Sequence, residues 1–189
     1  MIYLASASER RQELLKQIAL AFVTLVPDID EAPHPSEAPL AYVQRMAHEK
    51  AIAGARERDR RGLANAPVLG ADTIVVHDGV ILHKPDDARA ARAALRRLSG
   101  VEHTVYTALC LLGQGHNEAV ARSDVTFKTL CESEIDAYCA TGEPIGKAGG
   151  YAIQGRAALF IARLAGSYSG VVGLPLYECG QLLAAEGLL

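Results

Sequence analysis

The sequence has no Cys-x-x-Cys pair, no long apolar run and no surplus of positive charge, and each absence removes a class of protein. Its four cysteines, Cys110, Cys131, Cys139 and Cys179, have no regular spacing, so no zinc site is indicated and reduced, structural thiols are expected. No stretch approaches the roughly 18 apolar residues that a membrane span requires. Residues 1–6 lack the basic start and apolar run of a signal peptide, so the cytoplasm is the expected compartment. Lys plus Arg number 19 against 22 Asp plus Glu, a net charge of -3; general nucleic-acid binding is disfavoured, and any basic site must be local. What is present suits an ordinary globular protein: 189 residues, 50% hydrophobic, 22% charged and 5% aromatic. That is enough chain for one domain, or two lobes sharing a sheet, whose core needs neither disulfide nor structural metal. No repeat, linker or low-complexity segment interrupts it.

Strand and helix signals alternate along the chain. Residues 2–5 read as a short buried strand, and Ser8 begins a helix with Leu14, Leu15 and Ile18 on one face. Residues 22–26 read as strand, 28–35 as an acidic, proline-broken loop, and Pro39 opens a helix carrying Leu40, Val43 and Ala47 toward Gly54. The mixed charges of residues 56–61 read as a solvated helix end. Residues 67–76 and 80–82 flank His77-Asp78-Gly79, and an Asp-Gly turn between apolar runs signals a hairpin. Asp86 or Asp87 caps a helix with Ala88, Ala91, Leu95 and Leu98 on one face, which Gly100 ends. A second hairpin is expected from 104–112 and 119–130, then a helix over 132–140, a strand over 157–164, and a last helix from Pro175 to Leu183. Hairpins mixed with helices disfavour a purely parallel doubly wound sheet.

Several residues break local rules in ways that bear on chemistry. Arg10 and Arg11 fall in the first turn of the helix capped by Ser8, where the backbone dipole is already positive and prefers acids. An anion there would relieve the repulsion, accept free N–H groups and take bidentate contacts from the guanidinium forks, and phosphate fits that description. Two solvated arginines, with the helix start displaced by a residue or two, are the plain alternative. Asp72 interrupts Val68-Leu69-Gly70-Ala71-Asp72-Thr73-Ile74-Val75-Val76, otherwise a buried strand. A carboxylate in such a place is costly unless paired or coordinated. It is a metal ligand or general base, or else an acid at a strand end capping a turn. Gly70 and Ala71 are expected to leave room beside it for a bulky ligand.

Glu31, with Asp28 and Asp30, offers a second carboxylate source. Two converging acids plus substrate phosphates make the oxygen-rich site that Mg²⁺ or Mn²⁺ prefers, although alone this loop reads as surface. Lys50 and Lys84, taken singly, read as solvated. Residues 142–148 suggest a P-loop, but the glycines are one residue too close and Ala148 replaces the Ser or Thr that would hold magnesium. What remains is Lys147 followed by Gly149, Gly150 and the run Tyr151-Ala152-Ile153-Gln154-Gly155, whose small residues would allow close approach to a ligand. No His-Glu-x-x-His motif or Gly-x-Ser-x-Gly elbow occurs, so a metallopeptidase or serine hydrolase is unsupported.

Together, and in order over nearly the whole chain, a set of segments resembles the Maf nucleotide pyrophosphatases. They are Leu4-Ala5-Ser6-Ala7-Ser8-Glu9-Arg10-Arg11 with Glu13-Leu14-Leu15, Glu49-Lys50-Ala51, Gly70-Ala71-Asp72-Thr73, Lys84-Pro85 and Arg97-Leu98-Ser99-Gly100. They continue through Tyr106-Thr107, Thr141-Gly142-Glu143-Pro144, Lys147-Ala148-Gly149, Ile153-Gln154-Gly155 and Val172-Gly173-Leu174-Pro175-Leu176. Any one segment is weak; the ordered set is specific. The resemblance implies a single domain over 1–189, α/β with a mixed sheet and flanking helices, in two lobes around a deep cleft, as also in inosine-triphosphate-type pyrophosphatases.

By the same resemblance the chain hydrolyses a nucleoside triphosphate between its α and β phosphates with a divalent cation, Mg²⁺, Mn²⁺ or similar. Asp72 would be the proton acceptor, Glu31 would help hold the metal with it, and Arg10, Arg11, Lys50, Lys84 and Lys147 would bind phosphate, with Ser8 at the same helix start. Arg10, Thr73 and Gln154 occupy the family's specificity positions and resemble the branch acting on dTTP and UTP rather than that acting on 7-methyl-GTP. The partners so implied are the nucleotide alone, without nucleic acid or membrane, and a homodimer is compatible with the resemblance. Two positions depart from the pattern: Glu9 stands in place of the usual Pro, which the helix dipole tolerates, and Gly146 in place of the usual Asp, a loss that puts turnover or metal preference in question. The rival readings are a nucleotide-binding regulator of cell division or septum formation with incidental hydrolysis, and an inosine-triphosphate-type enzyme.

Overall fold

The computed structural model describes residues 1–26 and 28–189. The described strands form a seven-stranded mixed sheet in the order β2-β1-β3-β5-β6-β7, with β4 paired to β3. The chain divides into two compact units, one of residues 1–72, 107–121 and 173–189 and the other of 73–106 and 122–172. Three of the four divisions fall inside strands β3 (Val68–His77), β5 (Glu102–Leu112) and β6 (His116–Phe127), and the fourth lies between Val172 and Gly173.

In the first unit, β1 (Ile2–Ala5) is buried throughout and pairs in parallel with both β2 (Phe22–Leu25) and β3. Parallel neighbours need crossover connections, and helices supply them. Helix α1 (Glu9–Gln17) joins β1 to β2, and α2 (Pro39–Arg60) joins β2 to β3. The buried residues Val43, Met46, Ala47, Lys50, Ala51 and Gly54 recur at helical spacing along α2 and form its inner stripe. Two glycines let that stripe lie close to the strands. A Cβ on Gly54 would come within 2.7 Å of the Ala5 Cβ, and one on Gly70 within 2.2 Å of the Ala47 carbonyl oxygen and 2.6 Å of the Ala51 nitrogen. The space beside Gly70 is therefore filled by the backbone of α2, and the room for a ligand expected there does not exist. The unit is completed by the expected last helix, α6 (Leu176–Ala185), with Pro175 as its N-cap rather than its first helical residue.

In the second unit, β3 and β4 (Val80–Leu82) pair antiparallel with His77 opposite Val80. The two turn residues Asp78 and Gly79 both have positive φ, 50° and 73°, as a type I′ turn requires. Asp87, rather than Asp86, caps α3 (Ala88–Leu98) by accepting from the Ala90 N–H at 2.6 Å, and Gly100 follows the helix at φ 72°. The helix α3 packs on α4 (Glu132–Cys139), with Arg92 to Asp136 at 2.6 Å and Arg96 to Glu132 at 2.7 Å. Rings build the core: Phe127 lies 5.1 Å from His103 and 4.9 Å from Tyr151, and Tyr138 lies 5.2 Å from Phe160, all edge to face.

Three expectations are corrected here. Residues 157–164 are not one strand: Arg156–Phe160 is a 3₁₀ turn, and β7 spans Ile161–Ala165. The Glu143 carboxylate accepts the Arg156 and Ala157 N–H groups at 3.1 and 3.5 Å, so those donors are turned away from any ladder. Strand β6 starts at His116 and stops at Phe127 rather than spanning 119–130, because the Leu130 N–H goes to the Ser99 hydroxyl at 2.8 Å. Gly149 does not leave open space; at φ 66° it packs on Val75, whose side chain a Cβ would meet at 2.9 Å. The short helix α5 (Tyr168–Val172), held at its start by the Ser167 hydroxyl accepting from the Gly170 N–H at 2.9 Å, had no clear sequence signal. All four cysteines are free, three of them buried and Cys131 exposed.

Candidate active site

Asp72 sits mid-strand on β3, two residues after Gly70 and therefore on the same face, toward α2. Its carboxylate is buried and accepts a hydrogen bond from the Lys50 ammonium at 2.7 Å. The same ammonium lies 2.7 Å from a Glu31 oxygen. Side-chain exposure is 9% for Lys50 and 8% for Asp72 but 46% for Glu31. One cation thus joins a buried acid to an exposed one. The close approach of α2 at Gly70 brings Lys50 within reach, so the glycine acts through the helix it admits rather than through any ligand. Lys50 is not solvated as its residue type suggested. A buried charge survives only when paired, and Lys50 and Asp72 meet that condition for each other.

The loop carrying Glu31 is held to α2 by two side chains that sequence reasoning did not single out. The Tyr42 hydroxyl donates to the Glu31 carbonyl oxygen at 2.8 Å. Burial, with the negative charges of Asp72 and Glu31 behind it, pushes that hydroxyl up to about 12, so it remains a donor. The Arg45 guanidinium donates to both Glu37 oxygens at 2.7 Å and to the Ala32 carbonyl at 3.1 Å. Its hydrogen bond holds the Glu37 carboxyl down at about 2. Asp30 accepts from the Ala32 N–H at 2.9 Å and so shapes the turn; Glu31 is the loop acid that meets Lys50. Tyr42 is itself buried beside Val43 on α2 and Arg45 precedes Met46, and neither position identifies a partner in a loop.

At the start of α1, Ser8 caps the helix, accepting from the Arg11 N–H at 3.4 Å. Arg11 is buried, its Nε donating to the Gly173 carbonyl at 2.8 Å and its Nη1 to the Ser6 hydroxyl at 3.1 Å. Burial lowers the guanidinium's proton affinity; the Asp72 charge opposes this, Arg10 adds to it, and Glu31 opposes it again. Arg10, half buried, and Arg11 therefore share one electrostatic neighbourhood with both acids. Ser6 and Gly173, which fix Arg11, were visible only as parts of motifs.

In the second unit, Thr73 follows Asp72 along β3 and is half buried, while Lys84 and Gln154 are exposed. Lys147 is half buried and donates to the Glu143 carbonyl at 2.5 Å. The Gly146 N–H donates to the Pro85 carbonyl at 2.9 Å, which sets the backbone just before Lys147 beside the backbone just after Lys84. Gly146 has φ 69°, a conformation free of strain for glycine, where the resemblance had led to expecting Asp. Glu143 organises the rest: its carboxylate accepts from the Tyr138 hydroxyl at 2.8 Å and from the 156–157 backbone, and a Cβ on Gly155 would strike it at 2.4 Å. Gln154 is carried on the turn so fixed.

A mixed α/β protein with an acid pair gathered on a buried lysine, and with an arginine pair in the same field, has the makings of a hydrolase for an anionic substrate. The Maf-like protein family matches residues 1–186, and the chain belongs to that family. The dTTP/UTP pyrophosphatase of Nitrosospira multiformis is 52% identical to it, covering 99% of this chain and 95% of that protein. Those of Nitrosomonas europaea and Cupriavidus metallidurans are 50% and 48% identical, covering 99% and 100% of this chain and 95% and 98% of theirs. Such relatives are hydrolases of nucleoside triphosphates by name. Among the described residues, no helix is long and apolar enough to cross a membrane.

Proposed function

We propose that this chain is a dTTP and UTP pyrophosphatase of the cytoplasm, cleaving between the α and β phosphates to give the monophosphate and pyrophosphate. The observation that carries the reading is the buried Asp72 carboxylate held at 2.7 Å by Lys50, with Glu31 on the same ammonium, in a chain whose full-length relatives bear that name.

Asp72 accepts the proton of the attacking water as its oxygen bonds to phosphorus and the bond to the departing pyrophosphate breaks. Arg10, Arg11, Lys50, Lys84 and Lys147 neutralise the charge that gathers on the leaving group. Gln154 meets the base, since an amide offers both donor and acceptor to the two carbonyls and one N–H of uracil or thymine. Glu31 and Asp72 would hold the divalent cation, and the fit is chemical: both present carboxylate oxygens already drawn to one positive charge, the donors that Mg²⁺ and Mn²⁺ take. When bound, that cation supplies charge neutralisation and a more acidic water.

The test is turnover of purified protein with dTTP, UTP, CTP, ITP and 7-methyl-GTP in the presence of a divalent metal, compared by kcat/KM. Preference for the first two, and a fall in pyrophosphate release of about 10²–10⁴-fold in Asp72→Asn with nucleotide binding kept, is the expected result. Saturable binding of every nucleotide without product would reject hydrolysis in favour of a nucleotide-binding regulator.

A further inference from the structure

We propose that His48, His116 and Glu118 form a second, separate cation site, specific for a late first-row divalent ion such as Zn²⁺. Among the described residues they are the group whose imidazole and carboxylate donor atoms all lie within 4.8 Å of one another. A Glu118 oxygen is 2.9 Å from His116 Nε2 and 3.8 Å from His48 Nδ1, and the two rings stand 4.5 Å apart. In a tetrahedral site with metal–ligand distances of about 2.0–2.1 Å, ligand atoms are roughly 3.3 Å apart, so closing on an ion needs only small side-chain adjustments.

The backbone places these groups for the purpose. His116 and Glu118 are two apart on β6 and share a face of the strand, while His48 comes from α2. The turn before His116 is anchored by Glu186, whose carboxylate accepts from the Gln114 N–H at 2.8 Å and from the Asn117 amide at 3.0 Å. Side-chain exposures of 38%, 47% and 36% for His48, His116 and Glu118 leave the group open to solvent, which gives an ion a way in and a position for water as fourth ligand. Two imidazole nitrogens with one carboxylate oxygen favour zinc, cobalt or nickel over magnesium or calcium. The Glu31 and Asp72 oxygens favour the opposite, so the two sites select different ions. An ion at the histidine site would bridge α2 to β6 inside the first unit, on the helix that carries Lys50 two residues further on.

The experiment is titration of nucleotide-free protein with Co²⁺, followed by the visible absorption that tetrahedral sites give strongly and octahedral oxygen sites give weakly, then displacement by Zn²⁺. One equivalent should bind with an intense band that persists in Asp72→Asn. The band should be lost in His48→Ala and His116→Ala, with affinity falling by more than the roughly 10–100-fold that loss of an outer partner costs. Zinc should also raise the melting temperature of the wild type and not of His48→Ala/His116→Ala. Absence of the band, or a band and stoichiometry untouched by both histidine substitutions, overturns the proposal. Either result is independent of whether dTTP is hydrolysed, because no nucleotide is present.

Discussion

Replacing Lys50 by Met keeps most of the side chain's apolar stem on the inner stripe of α2 but leaves the buried Asp72 carboxylate without its hydrogen-bonded cation. Removing one member of a buried pair typically costs about 3–5 kcal/mol. Denaturant unfolding of Lys50→Met should show a loss on that order, recovered in large part by Lys50→Met/Asp72→Asn, where neither charge of that pair remains to be buried. A second prediction concerns His103, whose Nε2 meets the Tyr151 hydroxyl at 2.9 Å while Nδ1 is buried without a partner. Burial lowers its pKa to about 4. Between that value and about 6.5 the unfolded chain binds a proton that the folded chain refuses, so stability rises with pH through the window and is complete above it. The contribution is on the order of 3 kcal/mol. Urea unfolding at the two ends of the window should lose this part of its pH dependence in His103→Phe. Asp72 was legible in the sequence because an acid inside an aliphatic run is an exception that needs a reason. Lys50 was legible in principle, as a lysine at an apolar-stripe position, but its partner lies 22 residues away on another element. Single-residue reasoning therefore read it as solvated.

The fit of α2 to the sheet rests on glycine, and two substitutions of the same chemical size separate packing from conformation. In Gly70→Ala the new methyl would lie 2.2 Å from a backbone oxygen of α2, so the helix must move and carry Lys50 with it. Overpacking of this kind costs about 1–3 kcal/mol or more, and pyrophosphate release should fall with it. In Gly79→Ala the methyl meets nothing within 4 Å, and only the left-handed φ of 73° is penalised, at roughly 1–2 kcal/mol, with the kinetics unchanged. Equal losses of activity in the two variants would show that the glycine at 70 has no special place in the site. Element types follow readily from the sequence where a cap or turn residue is explicit, as at Ser8, Asp87 and Asp78-Gly79. They fail over 157–164, where the deciding partner is the carboxylate of Glu143, distant in the chain and invisible to periodicity.

At the scale of the molecule, a ligand that binds only the native state stabilises it by mass action. A non-hydrolysable dTTP analogue at 100 times its Kd should add about 2.7 kcal/mol, a rise of roughly 5–10 °C in melting temperature for a chain this long. Scanning calorimetry with and without the analogue measures it, and no shift at saturation would contradict a native nucleotide site. The mixed α/β class was readable from alternating helix and hairpin signals, whereas the strand order and the meeting of His48 with His116 and Glu118 were not. Such contacts are fixed by tertiary packing and leave no trace in local spacing. One of them also orders events during synthesis. Arg11 is anchored by the carbonyl of Gly173, 162 residues further along. A nascent chain translated as far as Val172 already holds Lys50 and both acids, yet its Arg11 guanidinium still lacks the carbonyl that clasps it. Closure of that clasp at the start of α1 therefore waits for Gly173, and a ribosome stalled before it displays Glu31 and Asp72 with the latch still open.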